Sequence, residues 1–137
     1  MKVIKPPKIL KIKSDTSELK KVEVFLKETF TYYQLAENEF NRVLLCVSEA
    51  VINSIEHGNK FDNNKTVSLE VVGDNNELNV IVRDEGEGYD ITKLANPTLK
   101  HNIKKESGRG IHIIKSYSDK IEVNKNESLI RFKISYK

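Results

Sequence analysis

The sequence predicts an α+β fold, a two-layer sandwich with helices on one face of a mixed, mostly antiparallel sheet. Three observations carry that expectation. Two apolar stripes of helical period occupy the first half, a hairpin of alternating residues follows, and two further alternating segments end the chain. The 137 residues, 38% of them hydrophobic, suffice for one domain with one core, read as spanning 1–137.

From Lys8 to Ile12 apolar and basic side chains interleave as in a half-buried strand, which Pro6 and Pro7 confine to a sheet edge. Its lysines, with Lys2 and Lys5, are read as guarding that edge, the alternative being a basic patch for nucleic acid. Asp15 and Glu18 make a capping box opening a helix whose inner face is Leu19, Val22, Leu26, Phe30 and Tyr33. A second helix is expected from Ala36 to His57, with Phe40, Val43, Leu44, Val47, Val51 and Ser54 on one side and Gly58 as a left-handed C-terminal cap. Val67, Leu69 and Val71 alternate, Gly73-Asp74-Asn75-Asn76 turns the chain, and Leu78, Val80 and Val82 alternate again, which is a β-hairpin. The stretch from Asp84 to Gly110 holds four of the six glycines and exceeds an ordinary connection, so it reads as a functional loop or lid. A third helix over about Ile111 to Ser118 and strands at Ile121 to Val123 and Leu129 to Ile134 complete the order.

Composition narrows the function. No apolar stretch approaches the ~20 residues of a membrane span, and no apolar segment of signal-peptide type follows the N-terminal lysines. The lone Cys46 excludes an internal disulfide and a multi-cysteine metal site, so the cytosol is the expected compartment and a packed side chain the expected role. Of 23 basic residues nineteen are lysine, against 20 acidic ones, for a net charge of +3. Base readout favours arginine, so this surface points to solubility rather than to direct nucleic-acid binding.

Three clusters carry possible chemistry. On the second helix Glu49 and Asn53, four residues apart, share one stripe opposite Val43, Val47 and Val51. Such a stripe is commonly a solvated face. Leu45 and Cys46 on or beside it point instead to something packed there, and an amide oxygen beside substrate phosphates is a known way to hold a hard cation. At the end of the hairpin, Asp84-Glu85-Gly86-Glu87-Gly88 offers a carboxylate for an exocyclic amine and glycines that admit a flat ring, or else an ordinary acidic turn. Ser107-Gly108-Arg109-Gly110-Ile111 stands at a helix start, where exposed N–H groups favour anions, with Lys104 and Lys105 nearby.

Taken in order, Glu49-x-x-x-Asn53, Asp84-x-Gly86-x-Gly88 and Gly108-x-Gly110 resemble the N, G1 and G2 boxes of the GHKL, or histidine-kinase-like, ATP-binding superfamily. Within it, Ser48-Glu49-Ala50-Val51-Ile52-Asn53 running to His57-Gly58-Asn59-Lys60, and Glu106-Ser107-Gly108-Arg109-Gly110-Ile111, are similar to the small anti-sigma-factor serine/threonine kinases. The resemblance implies the Bergerat-type fold with a lid over about 84–110, and ATP and Mg²⁺ as cofactors. It implies that Asn53 holds Mg²⁺ and that Glu49 orients or deprotonates the attacking hydroxyl. Asp84 would accept the adenine amine, with Gly86 and Gly88 lining the purine pocket. Lys105, Gly108, Arg109, Gly110 and Ile111 would attend the phosphates. The implied activity is phosphorylation of a small antagonist protein, together with sequestration of a sigma factor by a homodimer. The alternative is an ATP-binding partner-switch module with negligible transfer. The family's Gly-Thr pair before the last strand is replaced here by Asn126-Glu127-Ser128-Leu129, where either Ser128 supplies the hydroxyl or the contact is missing.

Overall fold

The computed structural model describes residues 5–73, 76–86 and 113–135. Strand β1 (Lys8–Lys13) leads through a short 3₁₀ turn, Thr16–Glu18, into helix α1 (Leu19–Tyr33). A second 3₁₀ turn, Glu37–Glu39, precedes α2 (Phe40–Asn53), which widens into a π-helical turn over Ser54–Gly58. The hairpin is β2 (Thr66–Gly73) and β3 (Glu77–Arg83). Residues 113–117 are helical, and β4 (Lys120–Asn124) and β5 (Leu129–Ser135) follow.

The five strands stand in the order β1-β2-β3-β5-β4. Every pairing among the described residues is antiparallel, so the expected mixture of directions is not found there. The edge position expected for β1 holds. Period-two alternation sets the register: Val67, Leu69 and Val71 lie on the same face as Leu78, Val80 and Val82, and Phe132 and Ile134 continue it on β5. That face packs against Val22, Leu26 and Phe30 of α1 and Val43, Val47 and Val51 of α2 in one core. The other face is laced by cross-strand ion pairs, Arg131–Glu122 at 3.2 Å and Lys133–Glu77 at 3.4 Å.

Local geometry corrects three expectations and decides a fourth point between its alternatives. The capping box is altered, because the tight first turn places Ser17 N–H, not the amide of residue 18, under Asp15 (2.9 Å). Glu18 reaches back to the Lys13 N–H (3.1 Å) and so ties the helix start to β1. The second helix is shorter than Ala36 to His57, since a 3₁₀ turn and a π turn take up its ends. Gly58 is not a left-handed cap; the positive φ angles fall at Lys60 (52°) and Phe61 (61°). Finally, Asn53 is fully buried, as are Cys46 and Ala50, so α2 does not present Asn53 on a solvated face. No helix among the described residues is long and apolar enough to cross a membrane.

The C-terminal segment is tied to α2 by Arg42. Its Nε donates to the Tyr117 carbonyl (2.8 Å) and its Nη1 to the Ser135 carbonyl (3.3 Å) and Glu39 Oε2 (3.2 Å). The helical turn over 113–117 is thus held at its end by the helix that carries Glu49 and Asn53.

Candidate functional site

The site assembles where the end of α2 meets the end of β3. Asn53 closes α2, and its amide is buried with neither Oδ1 nor Nδ2 hydrogen-bonded. A buried amide without partners costs about 1–3 kcal/mol per group, so both atoms are open to a bonding partner from outside the chain. One turn earlier Glu49 is half-buried, with Oε2 shielded from solvent. Both therefore depart from an ordinary surface stripe.

Five residues beyond Asn53, Gly58 meets Asp84 and Gly86. A Cβ on Gly58 would lie 2.3 Å from Asp84 Oδ2, and one on Gly86 would lie 1.8 Å from the Gly58 carbonyl oxygen. Two glycines are needed because backbone packs directly on backbone and carboxylate. Asp84 is 9% exposed, and its Oδ1 accepts the Gly86 N–H at 2.8 Å in an Asx turn. Burial pushes its carboxyl above the usual carboxylate range, opposed by the Gly86 N–H, Ser128 and the charge of Lys65. A buried carboxylate of this kind suits recognition of a donor brought by a ligand.

Ser128 completes the floor. Its φ of 53° is left-handed, an uncommon state for serine, and it holds the turn before β5 in place beside Asp84. Its carbonyl accepts the Asp84 N–H (3.0 Å), and its hydroxyl donates to the Gly86 carbonyl (2.9 Å). A hydroxyl is therefore present at this turn, bonded to the Gly86 carbonyl and acting on the Asp84 carboxyl. A recess beside it is lined by Asp84, Val123, Asn124, Ser128 and Ile130.

Asn59 was not foreseen, nor was the packing role of Gly58. Asn59, 1% exposed, donates from Nδ2 to Ser14 Oγ (2.8 Å) and to the Thr66 carbonyl (2.9 Å), while Oδ1 accepts the Glu85 N–H (2.8 Å). The available signal was an asparagine one residue past the expected helix stop, a position where such side chains bond to backbone. Gly88, Lys105, Gly108, Arg109, Gly110 and Ile111, with nearly all of the expected lid, lie outside the described residues.

Comparison with known proteins agrees with this geometry. The family model of the histidine kinase-like ATPase domain matches residues 12–134. The chain is 37% identical over 89 residues to an anti-sigma F factor of Oceanobacillus iheyensis, covering 63% of this chain and 60% of that protein. It is 35% identical over 99 residues to an anti-sigma F factor of Geobacillus stearothermophilus, covering 67% of each. It is 29% identical over 98 residues to the serine-protein kinase RsbW of Bacillus subtilis, covering 67% of this chain and 61% of that one. The chain thus spans 60–67% of the length of these relatives. With a match from β1 to β5 over an α+β sandwich whose α2 and β3 ends meet at Asp84, the chain belongs to the histidine kinase-like ATPase domain family.

Proposed function

We propose that the chain is an ATP- and Mg²⁺-dependent protein serine/threonine kinase of the anti-sigma type, phosphorylating a small antagonist protein and sequestering a sigma factor. The observation that carries this reading is the buried, unbonded amide of Asn53, one helical turn from Glu49 and five residues from the glycine that packs on Asp84. The relatives named anti-sigma F factor and serine-protein kinase support it. By the same family resemblance we read the chain as a homodimer, and from its composition as a cytoplasmic protein that contacts neither membrane nor nucleic acid directly.

The residues present fit both cofactors. Asn53 Oδ1 is a hard oxygen without a protein partner, of the kind Mg²⁺ takes beside phosphate oxygens and water. Bound Mg²⁺ supplies neutralisation of the nucleotide's phosphate charge. Asp84 accepts the exocyclic amine of adenine; guanine offers a carbonyl there and is refused. Gly86 and Gly88 line the purine pocket, and Lys105, Gly108, Arg109, Gly110 and Ile111 hold the phosphates. Glu49 orients the antagonist's serine hydroxyl and takes its proton as the serine O–P bond forms and the bond to the ADP oxygen breaks. Such a transfer asks chiefly for positioning and charge, so this short inventory is sufficient.

The experiment is a set of thermal melts with Mg·ATP, Mg·GTP and no nucleotide. ATP at 100 times its dissociation constant stabilises the folded state by about 2.7 kcal/mol, an upward shift of roughly 5–10 °C in a domain of this size. At the same concentration GTP gives a far smaller shift, and Asp84→Asn brings the ATP shift down to the GTP level. The ligand-free Asp84→Asn protein melts at or above wild type at neutral pH. The sign follows from burial: as pH rises past the unfolded pKa the unfolded chain ionises first, so the charge costs the folded state, and a neutral amide removes that cost. No shift at millimolar ATP would sink the nucleotide reading.

A further inference from the structure

We propose that Asn59 is the positioning residue of the purine pocket, holding the Asp84–Gly86 backbone at the distance from α2 at which Asp84 discriminates between purines. This rests on the ATP reading above. The amide orientation is dictated by its partners, because Glu85 N–H can only donate and the Thr66 carbonyl can only accept. Asn59 itself is 1% exposed, its bond to Ser14 is buried and the other two are partly so, a setting that strengthens each bond and makes a stranded partner costly.

The bonds reach three separate segments. Ser14, at the end of β1, accepts from Asn59 and donates to the Lys65 carbonyl (2.7 Å). Thr66, opening β2, gives its carbonyl to Asn59 and its N–H to Glu85 Oε2 (2.8 Å). Glu85 is thus gripped at its amide by Asn59 and at its carboxylate by Thr66, and it sits directly between Asp84 and Gly86. Neither neighbour can shift inward, since Gly58 already lies against both. Asn59 acts outward, as the tie that stops the segment from lifting away. Discrimination between an amine and a carbonyl depends on the carboxylate's placement, so slack here is felt as lost specificity before lost binding.

The test measures Mg·ATP and Mg·GTP affinities by calorimetry for the full chain carrying Asn59→Ala, Asn59→Ser, Asp84→Asn and the Asp84→Asn/Asn59→Ser pair. Asn59→Ser is the second variant should alanine prevent folding, because a hydroxyl and an admitted water can satisfy the stranded groups. Each Asn59 variant is expected to cut the ATP-over-GTP preference by about tenfold, as small misplacements do. In the Asp84→Asn background the serine change is expected to alter the preference by less than about twofold, since both act through one group. Asn59 variants that melt lower yet keep the wild-type preference, or effects that add fully in the pair, would overturn the inference and leave Asn59 a purely structural clamp. A wild type that binds neither nucleotide defeats the ATP reading itself, and is told apart because it appears before any substitution.

Discussion

Gly86→Ala is expected to lower the melting temperature of the ligand-free chain by about 10 °C and to abolish its response to ATP. The added Cβ would stand 1.8 Å from the Gly58 carbonyl oxygen and 2.6 Å from its carbon, and both are backbone atoms with no rotamer to retreat into. Overpacking of this kind costs about 3 kcal/mol at the upper end of its range. The relief available is displacement of the 84–86 segment, which breaks the Gly86–Asp84 and Ser128–Gly86 hydrogen bonds and moves the carboxylate. Calorimetric melting with and without Mg·ATP reads both effects at once. A variant that melts like wild type would show that the two segments are not in contact in solution.

The second large effect concerns chemistry rather than fold. Glu49→Ala is expected to reduce phosphate transfer to a serine substrate by about 10²- to 10⁴-fold, the usual contribution of a positioned general base. The ATP dissociation constant stays within about twofold, since Glu49 serves the attacking hydroxyl rather than the nucleotide. Stability changes little, because the side chain is half-buried and off the core. Single-turnover transfer from radiolabelled ATP, beside a binding titration, separates the two quantities. Transfer that survives the substitution would refute the role given to Glu49. Wild-type protein that binds ATP and its partners but never transfers phosphate would be a binding switch.

Most of the fold was legible because its elements obey short-range periods. Val67, Leu69 and Val71, then Leu78, Val80 and Val82, alternate as a sheet with one wet face requires, and each proved buried. Pro6 and Pro7 placed β1 at an edge, where it lies. What could not be read locally was the part of the site made by distant contacts. Gly58 looked like a helix stop, yet its lack of a side chain answers to Asp84, far along the chain on another element. Asn59 bonds to residues 7, 26 and 45 positions away, a set that no window of sequence exposes. Asn53 was assigned to a polar stripe because a helical wheel assumes one solvated side, and α2 buries Cys46, Ala50 and Asn53 along with its apolar stripe. Asp84 and Glu49 were singled out for a different reason: with Gly86 and Asn53 they stand at the spacing of the family's motifs.

Cys46, fully buried within α2, has its thiol pushed up to about 11 by desolvation. A thiolate is the reactive species, so in the native state this sulfur is doubly protected, by access and by protonation. It is also the chain's single cysteine. Modification by a chromogenic disulfide reagent at neutral pH is therefore expected to proceed only through opening of the core, at a rate that slows when a ligand stabilises the fold. The molecule carries its own clock for unfolding, one chromophore per chain. A cysteine introduced on the surface can be tagged alone, without first removing the native one.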